Sequence, residues 1–208
     1  SKNLTLLILR ILALTFIILS ISGIGFTYYG KITNANFVIA IDASGSMLAT
    51  DFNPNRLEAA KSTATSFVDK LPLQTKIGIV SFSGASYIKI RPSSDIVQVK
   101  QAINSIDTAL IAGTGIGEVI ITSTNLLVSE GQENSLILIT DGQNNIGTSI
   151  QEGVSYAKSH NIVINSIGIG TKEGGTFENY NESIISKVNF EDLEFISKET
   201  KGKYFLAS

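Results

Sequence analysis

The chain has 208 residues, 43% of them hydrophobic, which is enough for one well-packed domain and a short extra segment. It contains no cysteine, so disulfides and thiolate metal sites are excluded. Residues 1–35 carry three basic and no acidic side chains, whereas the remainder carries thirteen basic and eighteen acidic ones. An acidic domain without a basic stripe argues against nucleic acid as a partner.

The first segment, residues 4–29, predicts a transmembrane helix. No formal charge occurs from Ile11 to Tyr29, and at about 1.5 Å per residue this run covers about 28 Å, close to the hydrocarbon thickness of a bilayer. Two tyrosines and then Lys31 follow the run as interfacial anchors. A secretory signal cleaved near Ser20–Ser22 is the alternative. The apolar run continues past that point, which favours an uncleaved anchor.

The basic residues around this segment predict its orientation. Lys2 and Arg10 precede the apolar run and Lys31 follows it, which favours an N-terminus on the cytoplasmic side. We therefore expect a single-pass membrane protein in this fragment, with its domain on the extracytoplasmic side. Residues 30–35 are expected to be a linker, and residues 36–208 the domain.

From residue 36 onward, predicted strands and helices alternate as in parallel βαβ units. This pattern predicts an α/β fold with a doubly wound, mostly parallel, Rossmann-like sheet. The expected parallel strands are Phe37–Asp42, Lys76–Phe82, Ser135–Thr140, Ile162–Gly168 and Tyr204–Ala207. Ser86–Arg91 alternates in hydropathy and predicts one short antiparallel edge strand.

Capping residues predict where the helices begin. The first helix is expected to start with Asn53 as its cap and Pro54 at the first helical position. A capping box of Thr148 with Gln151 predicts a helix to about Ser159. The other expected helices are one capped by Asp95 and Gln98, an apolar one over Ile116–Ser129, and a last one capped by Asn189 and Asp192. The polar stretch Thr171–Lys187 predicts a long loop, with a small hairpin as the alternative.

Oxygen-bearing side chains follow two of these strands. Asp42, Ser44 and Ser46 come directly after the first strand, where open α/β sheets place their ligands. Asp141 comes directly after the strand Ser135–Thr140, and Thr114 lies in a Gly-rich loop before an apolar helix. Carboxylates and hydroxyls are hard ligands, suited to Mg²⁺ or Mn²⁺ and poorly suited to zinc. The alternative is that these residues only cap helices and begin turns.

The spacing Asp-x-Ser-x-Ser, with a distant Thr and a distant Asp, resembles the metal-ion-dependent adhesion site of the von Willebrand factor A (VWA) domain family. That resemblance implies a metal set of Asp42, Ser44, Ser46, Thr114 and Asp141. The run Met47–Lys61 is similar to the Bat (aerotolerance-type) membrane proteins, which are often paired with MoxR-type AAA ATPases. Ile139–Asn145 and Ile167–Gly170 continue the resemblance, as does Gly202–Phe205.

The family pattern implies a membrane-anchored, non-enzymatic domain that mediates protein–protein interaction or complex assembly. Its divalent ion, Mg²⁺ or Mn²⁺, would bind a partner protein's Asp or Glu carboxylate at an open coordination position. A MoxR-type AAA ATPase system or other membrane proteins are the implied partners. The alternative is a Mg²⁺-dependent phosphoester hydrolase on an α/β fold, although such enzymes need Asp-x-Asp and Ser44 stands at the second position.

Overall fold

The computed structural model describes residues 2–21, 35–109, 113–130, 134–179 and 182–207. The chain divides into two units, Ser1–Ile32 and Thr33–Ser208. In the first unit a single helix, α1, spans Lys2–Ile21. In the second, six helices and eight strands are described: β1 (Asn36–Asp42), a 3-10 helix (Gly45–Leu48), α2 (Arg56–Val68), β2 (Ile77–Phe82), β3 (Ser86–Ser93), α3 (Ile96–Asn104), α4 (Ile116–Val128), β4 (Asn134–Thr140), α5 (Ile150–Ser159), β5 (Val163–Gly168), β6 (Gly175–Asn179), β7 (Glu182–Ser186), α6 (Phe190–Glu199) and β8 (Tyr204–Leu206).

The structure does not support the predicted transmembrane helix. Helix α1 overlaps the expected segment, but none of the helices is both long and apolar enough to cross a membrane where the structure describes the chain. Residues 22–29 of the predicted span and residues 30–34 of the predicted linker lie outside the described residues.

The sheet of the second unit has the predicted doubly wound, mostly parallel arrangement. Its strand order is β3-β2-β1-β4-β5-β8, and every neighbouring pair is parallel except β2 with β3. The predicted antiparallel edge strand is therefore confirmed as β3. Strand β6 pairs with β7 in a separate two-stranded sheet, so the hairpin alternative for Thr171–Lys187 is correct.

Both faces of the main sheet are covered at its central strands β1, β2 and β4, which explains why these strands are mostly apolar rather than alternating. Val38 and Ala40 of β1 belong to a core that contains residues of α4, α5 and α6. Ile39 and Ile41 belong to a second core, with residues of α2 and α3. Successive side chains of β1 therefore enter opposite layers of the domain.

Two helix starts differ from the prediction. The cap of α2 is Asn55, whose side chain accepts from the Glu58 N–H, so Asn53 and Pro54 both precede the helix. The capping box of α5 is formed by Ser149 with Glu152, one position later than expected.

The register of the central strands determines which residues meet at the edge of the sheet. Strand β1 pairs Ile41 with Ile139 of β4, so the next residues, Asp42 and Thr140, lie side by side. Asp141 follows immediately. The carboxyl ends of β1 and β4 thus place both predicted aspartates at one edge.

Candidate metal centre

Asp42 is wholly buried, and both of its carboxylate oxygens accept hydrogen bonds. Oδ1 accepts from the Ser44 backbone N–H at 2.8 Å, and Oδ2 accepts from the Thr140 hydroxyl at 2.5 Å. Two donors on separate strand ends fix the orientation of this carboxylate. Sequence reasoning missed Thr140, although its position directly before Asp141 was a usable signal once the register was known.

The two serines of the motif lie together on the loop after β1. Their hydroxyl oxygens are 3.1 Å apart, with Ser44 buried and Ser46 half-buried. Ser46 lies in the 3-10 helix, where the buried side chain of Met47 anchors the turn in the core. The loop therefore holds two hydroxyl oxygens within hydrogen-bond distance of each other and next to Asp42.

Thr114 is also buried, on a loop that is tied to the segment after Asp141. Its N–H donates to Asn145 Oδ1 at 2.8 Å, and its carbonyl accepts from the Asn145 N–H at 3.0 Å. Thr114 does not cap α4, because the cap position is Gly115 and the Ile116 N–H donates to Asn144 Oδ1 instead. The two asparagines thus link the threonine loop to the aspartate loop.

Asp141 is wholly buried and lies beside a cation. Its Oδ2 accepts from Arg56 Nη1 at 3.2 Å and from the Ser186 hydroxyl at 3.1 Å. Its Oδ1 accepts only a longer bond, from the Gln143 N–H at 3.3 Å. Arg56 and Ser186 were not among the predicted site residues, because they lie 85 and 45 residues from Asp141 in the sequence.

Burial and, after it, the nearby charge of Asp141 raise the pKa of Asp42 to about 7, although the hydrogen bonds from Ser44 and Thr140 lower it. No cation pairs with Asp42 in the parts of the chain that the structure describes. A second positive charge at this edge would therefore stabilise the ionised form of Asp42.

The donor chemistry of the site fits a hard divalent ion. Within the described ranges, no group of three or more His, Cys, Asp or Glu side chains is gathered as a metal site. The predicted set differs from such a group because only Asp42 and Asp141 are carboxylates, and the other three donors are hydroxyls. Mg²⁺ accepts such a set because it is bound through few carboxylates and keeps water ligands. The ligand role of each residue stays a prediction.

Comparison with known proteins gives the family of this chain. The family model described as von Willebrand factor type A domain matches residues 37–143. The chain belongs to this family. The matched segment begins in β1 and ends two residues after Asp141, so it includes all five residues of the VWA metal motif.

Solved structures place this VWA domain in the Bat type. The crystal structure of an aerotolerance-related membrane protein from Bacteroides fragilis is similar with a TM-score of 0.76 and 30% identity, covering 84% of this chain and 92% of that one. The structure of BatB, a conserved hypothetical protein from Bacteroides thetaiotaomicron, is similar with a TM-score of 0.75 and 32% identity, covering 84% and 90%. Both cover nearly the whole of the solved domain, so the predicted family and type are confirmed.

Two further relatives bear on length and on the metal. A UPF0353 protein of Mycolicibacterium paratuberculosis is 27% identical over 188 residues, which are 84% of this chain and 56% of that protein. The chain therefore spans little more than half the length of this relative. Proximal thread matrix protein 1 from the mussel byssus, solved with a zinc-occupied metal-ion-dependent adhesion site, has a TM-score of 0.63 and 25% identity, covering 84% of this chain and 41% of that one.

Proposed function

We propose that this VWA domain binds one divalent ion, Mg²⁺ or Mn²⁺, at the carboxyl ends of β1 and β4 and uses it to bind a partner protein. The ligand set is Asp42, Ser44, Ser46, Thr114 and Asp141. The observation that carries the proposal is a pair of wholly buried carboxylates of which, among the described residues, only Asp141 has a cationic partner. Such a pair is costly to keep ionised unless a further cation joins it.

The ion would supply an electrophilic centre that accepts an oxygen ligand from outside the protein. Three of the five protein donors are neutral hydroxyls, so the set leaves room for water or for a partner's carboxylate. The relative from the mussel byssus holds zinc at its adhesion site, which supports metal binding here without deciding the metal. The preference for Mg²⁺ or Mn²⁺ rests on the oxygen-only donors.

Exposed apolar side chains close to the site support a protein as the partner. Leu48, two residues after Ser46, and Ile146, five residues after Asp141, are both 38% exposed. Protein interfaces combine such apolar contacts with a small number of strong polar ones. We propose a partner segment that presents one Asp or Glu to the ion and apolar side chains to these neighbours, in a MoxR-type AAA ATPase system or another membrane protein.

Calorimetry with Mg²⁺ tests the metal site. We expect Asp42→Ala to abolish Mg²⁺ binding and Ser44→Ala to weaken it. Asp69→Ala is the matched control, because Asp69 is an exposed residue at the far end of α2, about 20 Å along that helix from Arg56. Unchanged Mg²⁺ affinity in Asp42→Ala would rule out the proposed ligand set.

A phosphoesterase assay separates the binding module from the alternative enzyme. The proposed domain leaves a phosphomonoester intact in the presence of Mg²⁺ or Mn²⁺. Hydrolysis by the wild-type chain that disappears in Asp42→Ala would favour the hydrolase instead.

We further propose that α1 anchors the domain to a membrane and that the domain lies on the extracytoplasmic side. The support is the exposure of large aliphatic side chains along α1, from Leu4 (64%) to Leu14 (59%). An extended exposed apolar surface of this kind marks a site that contacts protein or lipid. The relative from Bacteroides fragilis is described as a membrane protein, which agrees with this proposal.

A further inference from the structure

Arg56, the first residue of α2, is a wholly buried cation that contacts Asp141 of the proposed metal centre. Its Nε donates to Asp51 Oδ1 at 2.7 Å and its Nη2 donates to Asp51 Oδ2 at 2.8 Å. This bidentate pair is the strongest geometry available to the two groups. Burial raises the pKa of Asp51, but the hydrogen bonds from Arg56 and Thr171 outweigh that effect and hold it below its usual value. Asp51 therefore compensates Arg56 as an anion.

The remaining donors of Arg56 connect the site to the hairpin formed by β6 and β7. Nη1 donates to Ser186 Oγ at 3.1 Å as well as to Asp141, and Nη2 donates to the Ser186 carbonyl at 2.9 Å. The Ser186 hydroxyl donates in turn to Asp141 Oδ2 and accepts from Gln143 Nε2 at 3.1 Å. Ser186 is the last residue of β7. One side chain of the hairpin therefore shares a carboxylate oxygen with the buried arginine.

A second contact joins the hairpin to the loop after the serine motif. The Thr50 N–H donates to the Thr176 carbonyl of β6 at 3.3 Å. At Gly175 a Cβ atom would lie 2.4 Å from Asp51 Oδ1, so only glycine allows β6 to approach Asp51 this closely. The hairpin also exposes 64% of the Ile185 side chain next to Ser186. It is thus fixed at both strands to residues around the metal centre while it presents an apolar side chain outward.

We propose that Arg56 and Ser186 are positioning residues that couple occupancy of the metal centre to the β6–β7 hairpin. The inference rests on the proposed function, because it requires that Asp141 binds the metal or its water shell. An opening of the hairpin that pulls Ser186 away removes one of the two donors that hold Asp141 Oδ2. A metal ion that needs Asp141 in place therefore disfavours that opening. The hairpin becomes a part of the partner surface whose order depends on the metal.

Mass action gives the size of the effect. If the opened hairpin binds the ion much more weakly than the closed one, Mg²⁺ at 100 times its Kd suppresses opening by up to about 100-fold. Backbone amides of β6 and β7 that exchange through this opening should then slow by between about 10-fold and about 100-fold when Mg²⁺ is added.

The test is hydrogen–deuterium exchange of the full chain with and without Mg²⁺, in parallel with calorimetry. In Ser186→Ala, Arg56 still holds Asp141, so we expect Mg²⁺ to bind with a Kd within about tenfold of the wild type, one hydrogen bond being worth about 1 kcal/mol. The Mg²⁺-dependent slowing in β6 and β7 should be reduced, because only the bond from Arg56 to the Ser186 carbonyl still links the hairpin to Asp141 through the arginine. Ser183→Ala is the matched control, because Ser183 is an exposed residue of the same strand.

Arg56→Lys is a second test variant. Lysine keeps the positive charge but not the planar set of N–H donors of the guanidinium, so this variant should lose the slowing.

The outcomes separate this inference from the function on which it rests. Wild-type protein that binds Mg²⁺ without any slowing in the hairpin overturns the coupling and leaves the metal site standing. Undiminished slowing in Ser186→Ala overturns it as well. Wild-type protein that does not bind Mg²⁺ overturns both. A role for Ser186 in stability alone would raise exchange equally with and without the ion, so it would leave the Mg²⁺-dependent ratio unchanged.

Discussion

Replacing Asp42 by Asn should stabilise the metal-free domain and destabilise the metal-loaded one relative to the wild type. Asn keeps the shape of the side chain, so its Oδ1 can still accept from Ser44 and its Nδ2 can donate to the Thr140 hydroxyl oxygen. What is lost is a buried negative charge that faces Asp141, whose own cationic partner, Arg56, is already paired with Asp51. The two conditions should therefore rank the proteins in opposite order.

The pKa of Asp42 gives the magnitude in the absence of metal. The folded value of about 7 lies above the ordinary value of 3.8, so the folded state binds the proton more tightly than the unfolded state. The resulting penalty is small below pH 4, grows as the pH rises towards 7 and is complete above it. At 1.36 kcal/mol per pH unit the full penalty is about 4 kcal/mol, and we expect the variant to recover about 2–4 kcal/mol at pH 8.

Mg²⁺ reverses the ranking, because the wild type binds it and the variant does not. An ion at 1,000 times its Kd adds about 4.1 kcal/mol to the free energy of unfolding of the wild type, which exceeds the about 2–4 kcal/mol that the variant gains without metal. Because the ion binds ionised Asp42, this gain should be larger at pH 8 than at pH 5. Urea unfolding in chelator and in Mg²⁺, at pH 5 and at pH 8, measures the difference in unfolding free energy between the wild type and Asp42→Asn under each of the four conditions. The reasoning is refuted if the variant is less stable than the wild type in chelator at pH 8, or if Mg²⁺ stabilises both proteins equally.

Three further outcomes are expected. Thr114→Ala should leave the circular dichroism spectrum and the thermal midpoint of the domain near those of the wild type while partner binding is lost; full partner binding in that variant, or in excess chelator, would leave only a structural role for the ion. Removal of residues 1–33 should give a soluble folded domain while the full chain partitions into detergent, and aggregation of the truncated protein would contradict this. Leu127→Ala, at a wholly buried position of α4, should cost about 2–5 kcal/mol of unfolding free energy in urea, whereas Val128→Ala, at the neighbouring position that is 46% exposed, should cost less than about 0.5 kcal/mol.

The sequence was sufficient for the elements whose signal is local. Apolar runs such as the one before Asp42 predict buried parallel strands because both faces of the sheet are covered, and the end of such a run is where a ligand site forms. The antiparallel strand β3 was predictable because apolar and basic residues alternate from Ile88 to Arg91, a local pattern that indicates a strand.

The helix caps show where local patterns are ambiguous. Thr148 with Gln151 and Ser149 with Glu152 both match the capping-box spacing, one residue apart. In the structure Ser149 caps α5, and the Thr148 hydroxyl donates to Glu118 of α4 instead. A contact between Thr148, just before α5, and a residue of α4 accompanies this choice, and these two residues are 30 positions apart in the sequence.

The residues around the metal ligands were the least predictable part. Thr140 meets Asp42 across 98 residues of sequence, and Arg56 meets Ser186 across 130. Such pairs depend on strand order and register, which are known only after the whole sheet is assembled. An arginine at the start of a helix has the local signature of a solvent-exposed residue, so its burial could not be read from the pattern.

The β6–β7 hairpin begins and ends at the same place in the fold, because Gly175 and Ser186 are paired with each other at its base. An insertion with adjoining ends can change in length or composition without moving the strands on either side of it. Doubling the length of such an excursion costs only about 0.6 kcal/mol of closure entropy. We therefore expect evolution to have varied this hairpin more freely than the sheet, and other hairpins grafted at the same base should leave the fold of the sheet intact.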